Sequence, residues 1–205
     1  MIRAALILLL AAACARPAPP SPASGPARLA GLADSLVILL AEDQEGRDRL
    51  PAAFAAGDTL LVRRMMSADL ARTAWLRGKV RAHGWPGRSL VGDSAAGAAW
   101  LILQHSPDTT FQREMLPLVE RAAARGDVDR ADVALLTDRV RLRSGMRQLY
   151  GSQFDVVDGR LVANPTEDLP GLDARRASVG LPPIAEYVRI LGEMYKLPVV
   201  WPPPP

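Results

Sequence analysis

A chain of 205 residues, 49% hydrophobic and 23% charged, has room for one globular domain with short extensions. Its 25 basic and 22 acidic residues leave a formal charge of +3, with arginines scattered among acids rather than gathered in a stripe, which argues against a nucleic-acid partner. One cysteine and two histidines exclude a disulfide framework and a paired-cysteine metal site.

Met1-Ile2-Arg3 is a short positive leader, and Ala4 to Ala13 is an apolar run too short to span a bilayer. Three alanines then precede Cys14, an arrangement that resembles a bacterial lipobox, with Ala11 where Leu is commonest. The expectation is a lipoprotein signal peptide over residues 1–13 and a lipid anchor on Cys14 after cleavage. The plainer alternative is a secretory leader with an incidental cysteine. An anchored chain sits in the cell envelope outside the cytoplasm, and Ala15 in place of an aspartate favours the outer membrane. Residues 14–27 read as a Pro/Ala-rich tether, 28–198 as a single mainly helical domain, and 199–205 as a Pro-rich tail.

Within the domain, Leu29, Leu32, Leu36, Leu39 and Leu40 recur at helical spacing over residues 27–50. Asp43 and Arg47 fall on the same stripe, spaced to meet each other; a solvated pair on a fraying end is the plainer reading, since Gly46 weakens the last turn. Asp58 is placed to cap a second helix through Leu61, Met65, Leu70 and Trp75, which Gly84 stops after His83. Trp85 reads as a core anchor, and His83 as a favourable charge at a helix end. A third helix starts at Asp93 or Ser94 and ends before Pro107; it has almost no polar face, so it should be buried, with Gly97 allowing close approach. A fourth spans Thr109 to Arg125 with a kink or restart at Pro117, and Asp129 opens a fifth. On that fifth helix Asp138 falls in the apolar stripe of Ala131, Ala134, Leu135 and Leu142, so it needs a partner, with His105 and an arginine as candidates. Gln148 to Val157, the turn Asp158-Gly159, and Arg160 to Ala163 read as a β-hairpin. A short helix carrying Arg175 and Arg176 and a last one after Pro182-Pro183 complete the domain. The class is mainly α, a multi-helix domain with one small hairpin in the C-terminal half.

Several segments together resemble a bacterial family, domain of unknown function 6624. They are DQEGR at 43–47, HGWPG at 83–87, VGDSAAGAAWLILQHS at 91–106, LLTDRV at 135–140, QLYGSQF at 148–154 and RRASVGLPPIAEY at 175–187. Ser152 stands where the family more often has Thr. The resemblance implies a mainly helical domain with a small hairpin, and it implies no activity.

Polar groups recur where a helical core would use aliphatic ones: Gln104 and His105, Asp138 and Arg139, then Tyr150 and Gln153, with Asp43, Arg47, Arg175 and Arg176 as further members. No Gly-rich phosphate loop, HExxH or GxSxG motif accompanies them, and neither a metal nor a cofactor is expected. Three readings stay open. The first is a binding site for a small polar or anionic envelope ligand; the second is a hydrolase-like enzyme with His105 as general acid/base and Asp138 orienting it. The third is a sealed polar network that fixes how the elements dock.

Overall fold

Helical periodicity and capping chemistry account for most of the architecture. The computed structural model describes residues 29–49 and 58–203; the expected leader, Cys14 and the tether lie outside the described residues. The protein is mainly α-helical, with a small three-stranded sheet in its C-terminal half. The described residues group into two compact units, one ending at Asp129 and the other beginning at Arg130.

The first unit contains α1 (Ala30–Asp48), α2 (Thr59–His83), α3 (Arg88–Val91), α4 (Asp93–His105) and α5 (Thr109–Ala124). The Asp58 side chain accepts from the backbone N–H groups of Leu60 and Leu61 and so starts α2. Gly84, at φ 78°, stops it in a conformation that side chains resist. Asp108 caps α5 in the same way through the N–H of Phe111, and α5 runs on through Pro117 as one helix rather than restarting. The single turn α3 is absent from the apolar pattern because Asp127 holds it: its carboxylate accepts from Ser89 N–H at 2.8 Å and its carbonyl from Arg88 N–H at 3.2 Å.

Helix α4 is the centre of this unit, packed by α1, α2, α3 and α5. Ala95, Ala96, Ala98 and Ala99 are buried and keep the neighbouring helices close. Gly97 does not share that role. It faces solvent, and a Cβ there would meet nothing within 4 Å. The expected inward set on α2 also needs one correction, because Leu70 is exposed while Met65, Leu76 and Val80 are buried.

The second unit contains α6 (Arg130–Arg143), β1 (Phe154–Val157), β2 (Arg160–Ala163), α7 (Leu172–Ser178), α8 (Ile184–Tyr195) and β3 (Val199–Val200). Asp158 and Gly159 take φ 49° and 72°, the left-handed pair that a two-residue hairpin turn requires. Strands β1 and β2 pair antiparallel from Phe154↔Ala163 to Val157↔Arg160. The first strand is shorter than its sequence pattern, beginning at Phe154 rather than Gln148. The reason is that the N–H groups of Leu149, Tyr150 and Ser152 turn towards Asp138 and cannot join a ladder. The expected tail also contributes to the fold: Val199 and Val200 pair parallel with Leu161 and Val162. Phe154, Leu161, Ala163, Tyr187 and Leu191 form the core here, and the ring of Trp201 lies 6.3 Å from that of Phe154.

Candidate functional site

The polar residues singled out by sequence fall into two clusters, one in each unit. In the first unit, α1 supplies Asp43 and Arg47, α2 supplies Asp69 and Arg72, and α4 supplies His105. Asp43 is 1% exposed, so the inward stripe of α1 continues to its end and the pair is not a solvated one. Arg47 Nε lies 3.1 and 3.0 Å from the two Asp43 oxygens, and its Nη2 donates to Asp69 at 2.9 Å. Arg72 donates to Asp69 at 2.8 Å and lies 3.3 Å from Asp43. His105 Nδ1 is 2.7 Å from Asp43 Oδ2 and also 2.7 Å from Arg47 Nε. A proton on Nδ1, donated to Asp43, satisfies this arrangement, since Arg47 already has the Asp43 carboxylate as its acceptor. The His105 Nε2 atom is buried and has no hydrogen-bond partner among the described residues.

Electrostatics follow from this packing. Burial pushes the His105 imidazole below its ordinary value and the Arg47 charge adds to that, against the opposing pull of Asp43 and Asp69. Burial alone would raise Asp43, but hydrogen bonds and charge from His105 and Arg47 outweigh it and hold the carboxyl well below the usual range. The ring is therefore neutral and the carboxylate ionised at neutral pH. The side chain of His105 is only 2% exposed, so no open cleft reaches it.

Three sequence segments converge on the second cluster. Asp138, fully buried on α6, accepts from the N–H groups of Leu149 at 2.6 Å, Tyr150 at 3.0 Å and Ser152 at 3.0 Å, and from the Ser152 hydroxyl at 2.9 Å. The carbonyls of the same loop are taken from the other side. Arg175 Nε donates to Leu149 O at 3.0 Å, Arg176 Nη1 to Tyr150 O, and the Tyr187 hydroxyl to Ser152 O at 3.0 Å. Gln148 closes the loop, accepting from Gln153 N–H at 2.8 Å and donating to Asn164 O at 2.8 Å. Gly151 permits the turn with φ 63°, and a Cβ there would come within 3.4 Å of Ile184 and Trp201. Burial pushes the Asp138 carboxyl above its ordinary value, opposed by the donors of Tyr150, Ser152 and Leu149.

The carboxylate that holds His105 is thus Asp43, while Asp138 spends both oxygens on the 149–152 loop. The Ser152 hydroxyl donates its proton to Asp138 and accepts from Gln153, with no histidine among its partners in the described residues, so no base is placed to activate it as a nucleophile. Arg175 and Arg176 serve backbone carbonyls. Gln104 is buried at the end of α4, and its carbonyl accepts from Gln112. Arg139 and Gln153 instead line a pocket of about 190 Å³ together with Leu142, Arg143, Phe154, Asp155 and Asn164. Among the described residues no group of three or more acidic or histidine side chains could hold a metal ion, and no helix is long and apolar enough to cross a membrane.

Sequence reasoning missed Asp69, Arg72 and Gln148. The signal for the first two was present: they fall on the stripe of Met65, Leu76 and Val80, the same position that marked Asp43 and Asp138. The chain also matches, over residues 31–200, the model of a family described as a family of unknown function (DUF6624). It belongs to that family. No curated protein and no solved structure matches it.

Proposed function

We propose that this protein is a lipoprotein of the cell envelope, anchored through Cys14, whose C-terminal unit binds a small polar or anionic ligand. The observation that carries the binding reading is the pocket lined by Arg139, Arg143, Gln153 and Asn164. The exposed Arg143 guanidinium gives an anion charge and directed donors, and two carboxamides add neutral donors and acceptors. The wall is preorganised, because Gln153 ends a loop whose peptide groups are bonded to Asp138, Gln148, Arg175, Arg176 and Tyr187. Arg143 makes no ion pair or side-chain hydrogen bond among the described residues, so its donors are available to a ligand.

Isothermal titration with a panel of small carboxylates tests this reading. Arg143→Gln should weaken binding by about 10-fold or more, while thermal stability stays within a degree or two, as an exposed site with no protein partner requires. Equal affinity for the wild type and Arg143→Gln would reject the pocket. The anchor rests on the AAAC run ending at Cys14. Fatty-acid labelling that survives Cys14→Ser would reject that half.

In this reading the His105 cluster of the first unit is a structural joint. Its carboxylates and guanidinium groups satisfy one another, and the imidazole lies beneath them out of reach of a substrate.

A further inference from the structure

Helix α2 buries one stripe of side chains and presents a second face that is both apolar and cationic. Met65, Arg72, Leu76 and Val80 are buried at the spacing of one helical stripe. On the outer face Leu60, Met66 and Leu70 stand 58%, 55% and 51% exposed, so the core makes little use of them. Arg63, Arg64 and Arg81 are also exposed, and they form no ion pair or hydrogen bond among the described residues. No exposed position from Thr59 to His83 carries an acid; the one aspartate of the helix, Asp69, is bonded to Arg47 and Arg72. A single exposed leucine needs no explanation, but large apolar side chains interleaved with cations and free of acids do.

We propose that this outer face of α2 docks on an anionic lipid surface, with the helix lying in the plane of the interface. Charge complementarity selects the occupant. The helix is not apolar enough to cross a bilayer. Laid flat, it can sink Leu60, Met66 and Leu70 among the headgroups while the arginines meet lipid phosphates, which gives both kinds of side chain a partner. A nucleic-acid backbone would take the arginines and leave the apolar side chains unused. A second copy of the chain, docking through the same patch about a two-fold axis, would bring like charges together. Helix α1 has the contrary surface, with Asp34, Glu42, Glu45 and Asp48 exposed. Anionic lipid therefore attracts the unit at α2 and repels it at α1, which gives the docking an orientation. The proposal does not require a lipid on Cys14. An anchor there would favour it, because the chain from Cys14 to Leu29 can reach about 50 Å at most and would keep this face near the bilayer.

Vesicle flotation of the full chain tests the proposal. A parent carrying Cys14→Ser removes any acyl chain, and its leader is common to every sample. The vesicles are neutral phosphatidylcholine alone, or the same lipid with roughly one-third anionic phosphatidylglycerol. The parent should partition onto the anionic vesicles about 10-fold more strongly, and about 0.5 M salt should remove the gain. Arg63→Glu/Arg64→Glu should lower partitioning onto anionic vesicles by about 10-fold or more and leave the neutral ones unaffected. Met66→Ser/Leu70→Ser should weaken binding to both kinds. All four positions are exposed, so melting temperatures should stay within a couple of degrees of the parent and separate lost docking from lost fold. Equal partitioning of parent and both variants, whether strong or absent, overturns the proposal. So does a parent that ignores vesicles and retains a DNA duplex, or one that sediments as a dimer which Met66→Ser/Leu70→Ser splits.

Discussion

At the scale of single residues, Asp138 ties α6 to the 149–152 loop of the C-terminal unit. One carboxylate takes three backbone N–H groups and a hydroxyl in a site with no access to water. Replacing it with alanine strands donors that cost about 1–3 kcal/mol each when left unpaired. Asp138→Ala should therefore destabilise by roughly 3–5 kcal/mol in urea unfolding, after some relief from entering water. Asp138→Asn keeps one acceptor oxygen but points an amide at N–H groups, so its loss should be smaller and still well above 1 kcal/mol, by about a factor of two. The need for a partner at Asp138 was legible, because an aspartate in a leucine stripe has no other explanation. Which partner it takes was not legible: backbone N–H groups have no residue letter, and a bent loop has no period to reveal it. Asp43 shows the complementary case. Its stripe position was plain, but Gly46 suggested a fraying turn, and only the arrival of Asp69, Arg72 and His105 from other helices makes that turn worth burying.

At the scale of elements, glycine illustrates how context decides sign. Gly97 lies inside α4, exposed, with open space where a Cβ would go. Gly97→Ala should stabilise the protein by about 0.5–1 kcal/mol through helix propensity and a less flexible unfolded chain. Gly151 is the reverse case. Its φ of 63° and the 3.4 Å approaches to Ile184 and Trp201 make Gly151→Ala cost about 1–2 kcal/mol or more. Melting curves of the two variants should shift in opposite directions, and ligand affinity should fall only for Gly151→Ala, since Gln153 rides on the displaced loop. Helices were the most readable elements, because a stripe, a capping aspartate and a stopping glycine all agree at α2 and α5. The short pieces escaped. One turn such as α3 is too brief for a period, and the two-residue strand β3 takes its pairing from β2, far away in sequence, beside prolines that spoke for a free tail.

For the molecule as a whole, the buried His105 joint implies a pH dependence whose sign can be worked out. In the unfolded chain the imidazole titrates near its ordinary value of 6.5; in the folded state burial and Arg47 lower it. Between those two values the unfolded chain binds a proton that the folded one refuses, so stability rises with pH and is lost as pH falls below 6.5. The slope in that window can approach about 1.4 kcal/mol per pH unit for one group. Asp43 adds a second window further down. Its folded value is depressed, so its contribution is present above its ordinary 3.8 and is lost as pH falls below it. Urea midpoints should therefore drop between pH 7 and pH 5 with up to about one proton's worth of slope from His105, against which Asp138, whose folded value is raised, works in the opposite direction above its ordinary 3.8. In His105→Gln the slope over the same range should flatten, whatever the variant does to stability at pH 7, because no imidazole remains to be protonated on unfolding. An unchanged slope in His105→Gln would mean that the ring between Asp43 and Arg47 takes up its proton in the folded protein as readily as in the unfolded chain.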